Sequence, residues 1–252
     1  MPETCFEIID GEVVYVAPSD EPHGTVHASL SAILQAHAGP AYSTAVDMLT
    51  RTSAKGDMAP DASVFPRERD PATGGRKIEA LAFEIVSTER LSHAAKKARA
   101  LLGRGVRRVF AIDVTRGRAL EWSPPTDAWK ILPKNGTIAD DTLVRPLEIA
   151  ALVDGALADD AIAAALLTKK NPVLEGALAA SDKRGEARGE ARGEARGILK
   201  GKSVALLAVL SARGLRLKKK AKERIVAATD RELDAWLARA TTCASVEDLF
   251  GD

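Results

Sequence analysis

The sequence predicts a mixed α/β (α+β) core, a mixed sheet flanked by helices, followed by a helical C-terminal extension. Three observations carry that expectation. Up to Leu147, short β-branched or apolar runs alternate with two segments of helical periodicity. After Leu147 the composition shifts to Ala and Leu, and a four-residue Gly-Glu-Ala-Arg repeat runs from Gly185 to Gly197. Beyond the repeat, the apolar spacing is helical throughout.

Taken in order, Gly11-Glu-Val-Val-Tyr-Val-Ala-Pro18 has a β-branched and aromatic centre closed by proline, which predicts a strand. Residues Thr25 to His37 place Val26, Leu30, Ile33 and Leu34 at helical spacing before Gly39-Pro40 ends the run. Strands are expected over Tyr42–Thr52, Ala62–Phe65 and Ile78–Val86, separated by polar or Gly-rich breaks. A second helix is expected over Leu91–Gly103, with Ala94, Ala95, Ala98, Leu101 and Leu102 on its apolar side. Arg108–Val114 reads as a buried strand, and Arg118–Trp122 and Ala128–Leu132 as meander strands about Pro124-Pro125. This organisation gives a core over 1–155, a helix and repeat linker over 156–197, and a small helical region over 198–252. In the last, Ile198–Ala212, Leu217–Ala228 and Glu232–Ala240 are amphipathic, and Thr229 with Glu232 has capping-box spacing.

The 252 residues carry a formal net charge of +1, with 46% hydrophobic and 28% charged residues. That balance excludes a wholly disordered chain and a polycation, so any nucleic-acid binding has to use a local patch. The two cysteines, Cys5 and Cys243, stand near opposite ends and fit neither a metal motif nor a disulfide framework. The N-terminus carries Glu3, Glu7 and Asp10 where a secretory signal needs a basic start and an apolar run. No stretch has the length of a membrane span. A reducing, cytoplasmic setting without membrane contact is expected.

Chemistry is suggested first by Glu84, which sits in the most hydrophobic part of Ile78-Glu-Ala-Leu-Ala-Phe-Glu-Ile-Val86. A buried carboxylate needs a cation, a donor or an opening to solvent; a place at the strand's open end or in an ion pair would satisfy it as well. Asp61 opens a strand after Pro60, which is also an ordinary turn position. Lys97 lies one helical turn or so into the helix after the Glu84 strand and can point back at that strand's C-terminal end. Two carboxylates, a hard divalent cation and a lysine are the parts that phosphodiester hydrolysis needs.

Over residues 7–155 the sequence resembles the Uma-type restriction-endonuclease-like proteins of the PD-(D/E)XK phosphodiesterase superfamily. The resemblance rests on Ile9–Val16, the His23-Gly24 helix start, Pro60-Asp61-Ala-Ser-Val64, Phe83-Glu84-Ile-Val-Ser87, Lys97 and Gly105–Asp113. It implies a restriction-endonuclease-like fold and a Mg2+-dependent (or Mn2+-dependent) endonuclease acting on DNA. Asp61 and Glu84, with the Ile85 carbonyl, would hold the metal, and Lys97 would be the lysine moved from strand to helix. Val86 stands where the superfamily's usual lysine would be. His23 and Ser87 match family positions that line the site. The chain departs from the family at Thr88-Glu89-Arg90, where the usual continuation is Ser-Pro-Ser, and at His93, where the family has an aspartate. The Glu84-to-Lys97 spacing is also about one residue short, so Lys96 stays open as the alternative. A non-hydrolytic nucleic-acid-binding or protein-interaction module on the same fold is the competing expectation.

The remaining features carry weaker signals. His23 and His27 are one turn apart, but no third ligand accompanies them or His37 and His93, so helix-surface histidines are favoured over a zinc site. The Gly-Glu-Ala-Arg repeat puts a glycine in every turn, which favours a flexible linker; the alternative is a glycine stripe for close helix contact in a homodimer. The run Arg213–Arg224 holds Arg213, Arg216, Lys218, Lys219, Lys220, Lys222 and Arg224 against one acidic residue. It is either a solvated helix face or a nucleic-acid contact.

Overall fold

The computed structural model describes residues 6–9, 11–15, 19–87 and 91–251. They form two compact units, residues 1–175 and 176–252.

In the first unit, β1 (Phe6–Ile9) and β2 (Glu12–Tyr15) form a hairpin. Helix α1 (Glu21–His37) follows, capped by Asp20, whose side chain accepts from the His23 amide, with Pro22 in the first turn. The expected single strand over Tyr42–Thr52 is two strands, β3 (Tyr42–Val46) and β4 (Thr50–Ser53). The break has a backbone cause: Asp47 takes φ +49°, a left-handed conformation that aspartate tolerates and that ends a strand. The chain thereby leaves one sheet for another. β4 pairs with β5 (Gly56–Met58), and β5 with β1, giving a four-stranded sheet in the order β2-β1-β5-β4.

The central sheet has six strands in the order β10-β9-β8-β7-β6-β3, with β6 at Ala62–Pro66, β7 at Leu81–Val86 and β8 at Arg108–Asp113. β9 (Arg118–Ser123) and β10 (Ala128–Ile131) complete it. β7 and β8 run parallel, which requires a crossover, and α2 (Leu91–Arg104) supplies it. Gly105, at φ +113°, closes the helix with its N–H on the Leu102 carbonyl, a conformation costly for any residue with a Cβ.

Every residue of β7 is buried, because each face of the sheet is covered. Leu81, Phe83 and Ile85 pack with Leu30, Ile33 and Leu34 of α1, while Ala82 packs with Ala95, Ala98 and Leu101 of α2, and Val86 with Ala94. Strand alternation therefore turns the even-numbered residues, Glu84 among them, towards α2.

A short hairpin, β11 (Thr137–Ile138) with β12 (Leu147–Glu148), precedes α3 (Ile149–Val153) and α4 (Ala158–Thr168). Ala158 and Ala161 join the α1-side core, so this unit continues past residue 155, where the sequence had suggested its end.

Helix α5 spans Pro172–Ala212. The repeat expected as a flexible linker is therefore helical, with residues 176–197 all exposed. Helices α6 (Lys219–Val226), α7 (Asp230–Arg239) and α8 (Val246–Phe250) enclose a small core of Leu206, Leu210, Ile225, Leu233, Trp236 and Leu249. The Thr229–Glu232 capping box is present at the start of α7. Cys243 is a buried free thiol in that core, and Cys5 lies outside the described residues.

Candidate active site

Glu84 reaches α2 as the alternation requires. Its Oε2 lies 2.8 Å from Lys97 Nζ, and both side chains are nearly inaccessible to solvent. Lys96, the next residue along, is exposed, so the helix register presents Lys97 to the strand and Lys96 to water.

Lys97 has three donors, and three acceptors meet them. Beyond Glu84, Nζ lies 3.0 Å from Glu7 Oε1 and donates to the Ala59 carbonyl at 2.8 Å. Glu7, on β1, is 4% exposed, and the same Oε1 accepts the Ala59 amide at 2.9 Å. Sequence reasoning passed over Glu7 apart from its place in an acidic N-terminus. The available signal was a carboxylate in the middle of Phe6-Glu-Ile-Ile9, the same anomaly that marked Glu84.

Asp61 stands just before β6, where the pairing of β6 with β7 ends at Ala62–Phe83. Two residues further along β7, beyond the last β6 pair, the Ile85 N–H is accepted by Asp61 Oδ2 at 2.5 Å. Asp61 Oδ1 lies 3.5 Å from His23 Nε2. One turn along α1, His27 Nε2 donates to the Asp61 carbonyl at 2.5 Å, and the Asp47 amide donates to the same oxygen at 3.3 Å. His27, expected as a helix-surface residue, thus faces the site. The signal was its one-turn spacing from His23.

Other expected residues stand elsewhere. The Ser87 carbonyl accepts from Thr115 Oγ1, and no described contact joins Ser87 to Asp61, Glu84 or Lys97. Residues 88–90 lie outside the described residues. In the C-terminal unit, Arg213 donates to the Ala240 carbonyl at 2.8 Å, and Arg224 stacks over Phe250 and Trp236. Both are built into that unit's packing. Arg216, Lys218, Lys219, Lys220 and Lys222 are exposed.

Three carboxylates, Glu7, Asp61 and Glu84, share one buried ammonium. Burial raises the Glu84 carboxyl, opposed by Lys97 and reinforced by Asp61 and Glu7, to about 8. Burial by itself would lower Lys97, but Glu84, Glu7 and Asp61 outweigh it and hold the ammonium charged above the usual lysine range. Burial also works against the ionised form of Asp61, yet the His23 bond, Lys97 and the Ile85 N–H together keep it below the usual aspartate range. Glu84 Oε1 is buried with no hydrogen-bond partner among the described residues.

Among the described residues, no group of three or more His, Cys, Asp or Glu side chains is arranged to hold a metal ion. A magnesium-type site does not need one, since one or two carboxylates with several waters suffice. The orphaned Glu84 oxygen and the neighbouring ionised Asp61 fit such an ion.

Comparison with known proteins bears on the fold and the family. A crystal structure titled as a putative nuclease belonging to DUF820, from Anabaena variabilis, is similar at 16% identity with a TM-score of 0.51. The match covers 60% of this chain and 90% of that one, and at such identity it shows a shared fold. No curated protein matches. The sequence model of the Uma2 family, described as "Putative restriction endonuclease", matches residues 1–151, and the chain belongs to that family.

Proposed function

We propose that the chain is a divalent-metal-dependent endonuclease that hydrolyses DNA phosphodiester bonds at Asp61 and Glu84. The observation that carries this reading is the buried Glu84 Oε1, without a hydrogen-bond partner among the described residues, beside an ionised Asp61. Asp61 and Glu84, with the Ile85 carbonyl, would hold Mg2+ or Mn2+. Once bound, such an ion supplies charge neutralisation at the phosphate and a lowered water pKa.

The protein's own groups have separable tasks. Lys97 fixes Glu84 through Oε2 and leaves Oε1 for the ion. With all three donors engaged, Lys97 acts on the reaction through Glu84, and it reaches a phosphate or water only by exchanging one partner. The Ile85 N–H orients Asp61, and His23 borders its other oxygen. In the C-terminal unit, Arg213, Arg216, Lys218, Lys219, Lys220, Lys222 and Arg224 are exposed cations suited to DNA phosphates, Arg213 and Arg224 while also contributing to that unit's packing.

The test is cleavage of supercoiled, linear and single-stranded DNA by the full chain in Mg2+ or Mn2+, against a chelator control and Asp61→Asn. Metal-dependent cleavage lost in the variant supports the reading. DNA binding without cleavage under every metal condition favours a non-hydrolytic binding module. No helix among the described residues is long and apolar enough to cross a membrane.

A further inference from the structure

We infer that Glu7 is a positioning residue of this site, which sets the direction of Lys97 and the backbone approach to Asp61. The inference rests on the nuclease reading for its kinetic consequence, but its structural part stands apart from it.

The geometry is a closed ring. Glu7 Oε1 takes both the Ala59 N–H, at 2.9 Å, and the Lys97 ammonium, at 3.0 Å, while Lys97 donates to the Ala59 carbonyl at 2.8 Å. Both backbone polar groups of Ala59 are therefore tied to the Glu7–Lys97 pair. Ala59 is two residues before Asp61, and Pro60 between them removes one backbone rotation. Fixing Ala59 thus fixes the start of the short segment that delivers the Asp61 carboxylate to the Ile85 N–H.

Glu7 also settles how a buried ammonium can be held between strand and helix. With Glu84 and Ala59 alone, Lys97 would keep one donor unpaired in a nearly dry environment, which is costly. The third acceptor comes from a different sheet: β1 pairs with β5 through Ile8 and Asp57, and β5 runs directly into Ala59. The four-stranded sheet is therefore the element that carries an acidic side chain to Lys97. The described polar contacts of Glu7 are to Lys97 and the Ala59 amide, so it acts through them. Supporting groups of this kind typically change metal affinity or activity by about 10- to 100-fold when removed.

The experiment compares the full-length chain with Glu7→Gln and Glu7→Ala, using the lysine ammonium 1H–15N signal of Lys97, assigned by its loss in Lys97→Met. An ammonium held by three acceptors exchanges slowly with water. The expected result is a protected signal in the unsubstituted chain, weakened in Glu7→Gln, which keeps an oxygen acceptor, and lost in Glu7→Ala while the amide spectrum is retained. In DNA cleavage, kcat should fall about 10- to 100-fold in Glu7→Ala with KM within about twofold, and Glu7→Gln should recover part of the loss. A folded Glu7→Ala chain with an unchanged Lys97 signal and unchanged kcat overturns the inference. If Glu7→Ala does not fold, rapid exchange of Lys97 in the unsubstituted chain, or an unaltered signal in Glu7→Gln, overturns it instead. Should the unsubstituted chain cleave no DNA, the nuclease reading fails while the ammonium signal still decides the role of Glu7.

Discussion

The backbone N–H of Ile85 donates to Asp61 Oδ2 at 2.5 Å, so a carboxylate of the site occupies the place of a missing strand carbonyl. The end of the β6–β7 ladder and the construction of the site are one event, and Asp61 serves both. Its two contributions separate by substitution. Asp61→Asn keeps an oxygen for the Ile85 N–H and should hold the urea midpoint close to that of the unsubstituted chain, with DNA cleavage at background. Asp61→Ala leaves the N–H buried and unpaired, and should lose about 1 to 3 kcal/mol in addition. Equal unfolding midpoints for the two variants would show that the bond contributes nothing.

Glu84 gives the metal-free protein a specific pH response. Its carboxyl is raised to about 8 in the folded chain, so the folded state binds a proton more tightly than the unfolded one. The stability this contributes is fully present below the ordinary glutamate value and is lost as pH rises towards 8. Asp61, whose carboxyl is lowered, works in the opposite sense at acid pH, losing its contribution as pH falls below the ordinary aspartate range. Thermal unfolding of the chelated protein should therefore show a decline from pH 5 to pH 8 that flattens in Glu84→Gln. The same slope in both proteins would assign the decline to other groups.

Divalent cation should reverse that decline, because an ion held by Glu84 selects its ionised form. Millimolar Mg2+ or Mn2+ should raise the melting temperature more at pH 8 than at pH 6, with stabilisation of about 2.7 kcal/mol when the ion is at about 100 times its dissociation constant. Asp61→Asn should reduce the shift. A rise that is independent of pH and of Asp61 would place the ion elsewhere.

Much of this site was legible because burial and charge conflict visibly in the sequence. Glu84 stood out in an apolar strand, and α2 followed with helical periodicity, so the facing pair of strand and lysine could be anticipated. The same criterion does not separate Glu84 from Glu79, also buried in the Ile78–Val86 segment. Glu79 is held through Oε1 by its sequence neighbour Arg76 at 2.8 Å and by the Thr50 hydroxyl, and its Oε2, like Glu84 Oε1, is buried without a hydrogen-bond partner among the described residues; what sets Glu84 apart is the proximity of Asp61 and Glu7, which only the tertiary fold supplies. Glu7 escaped because β1 is four residues long and its sheet is assembled from distant segments. The break at Asp47 escaped because a single left-handed residue leaves no periodic trace. The Lys96-or-Lys97 choice needed the helix register against β7, which spacing could bracket but not fix.

That register predicts opposite outcomes for the two lysines. Removing the Lys97 ammonium leaves Glu7 and Glu84 buried without their cation, and Lys97→Ala should cost about 3 to 5 kcal/mol in urea unfolding of the metal-free chain. Lys96 is exposed, and Lys96→Ala should stay within about 0.5 kcal/mol. The substitutions are adjacent and remove the same side chain, so the contrast isolates burial from charge. Comparable losses in both would require a different helix register.

The helical repeat in α5 sets local propensity against the observed conformation. Gly185, Gly189 and Gly193 fall at successive turns, each about 1 kcal/mol less favourable than alanine in a helix interior, and among the described residues no packed neighbour offsets them, since residues 176–197 are exposed. A Cβ at any of the three meets nothing within 4 Å, so alanine fits the helix without displacement. Substituting all three by alanine should raise the 222 nm ellipticity and slow amide exchange across 176–197, while leaving the core of the first unit unchanged. If the segment is coil in solution, the glycines carry no helical cost to remove: amide exchange there is already fast, and alanine adds protection only by creating helix anew. Fast exchange in the unsubstituted chain is therefore the result that counts against a continuous α5, and slow exchange, further slowed by alanine, is the result the helix requires.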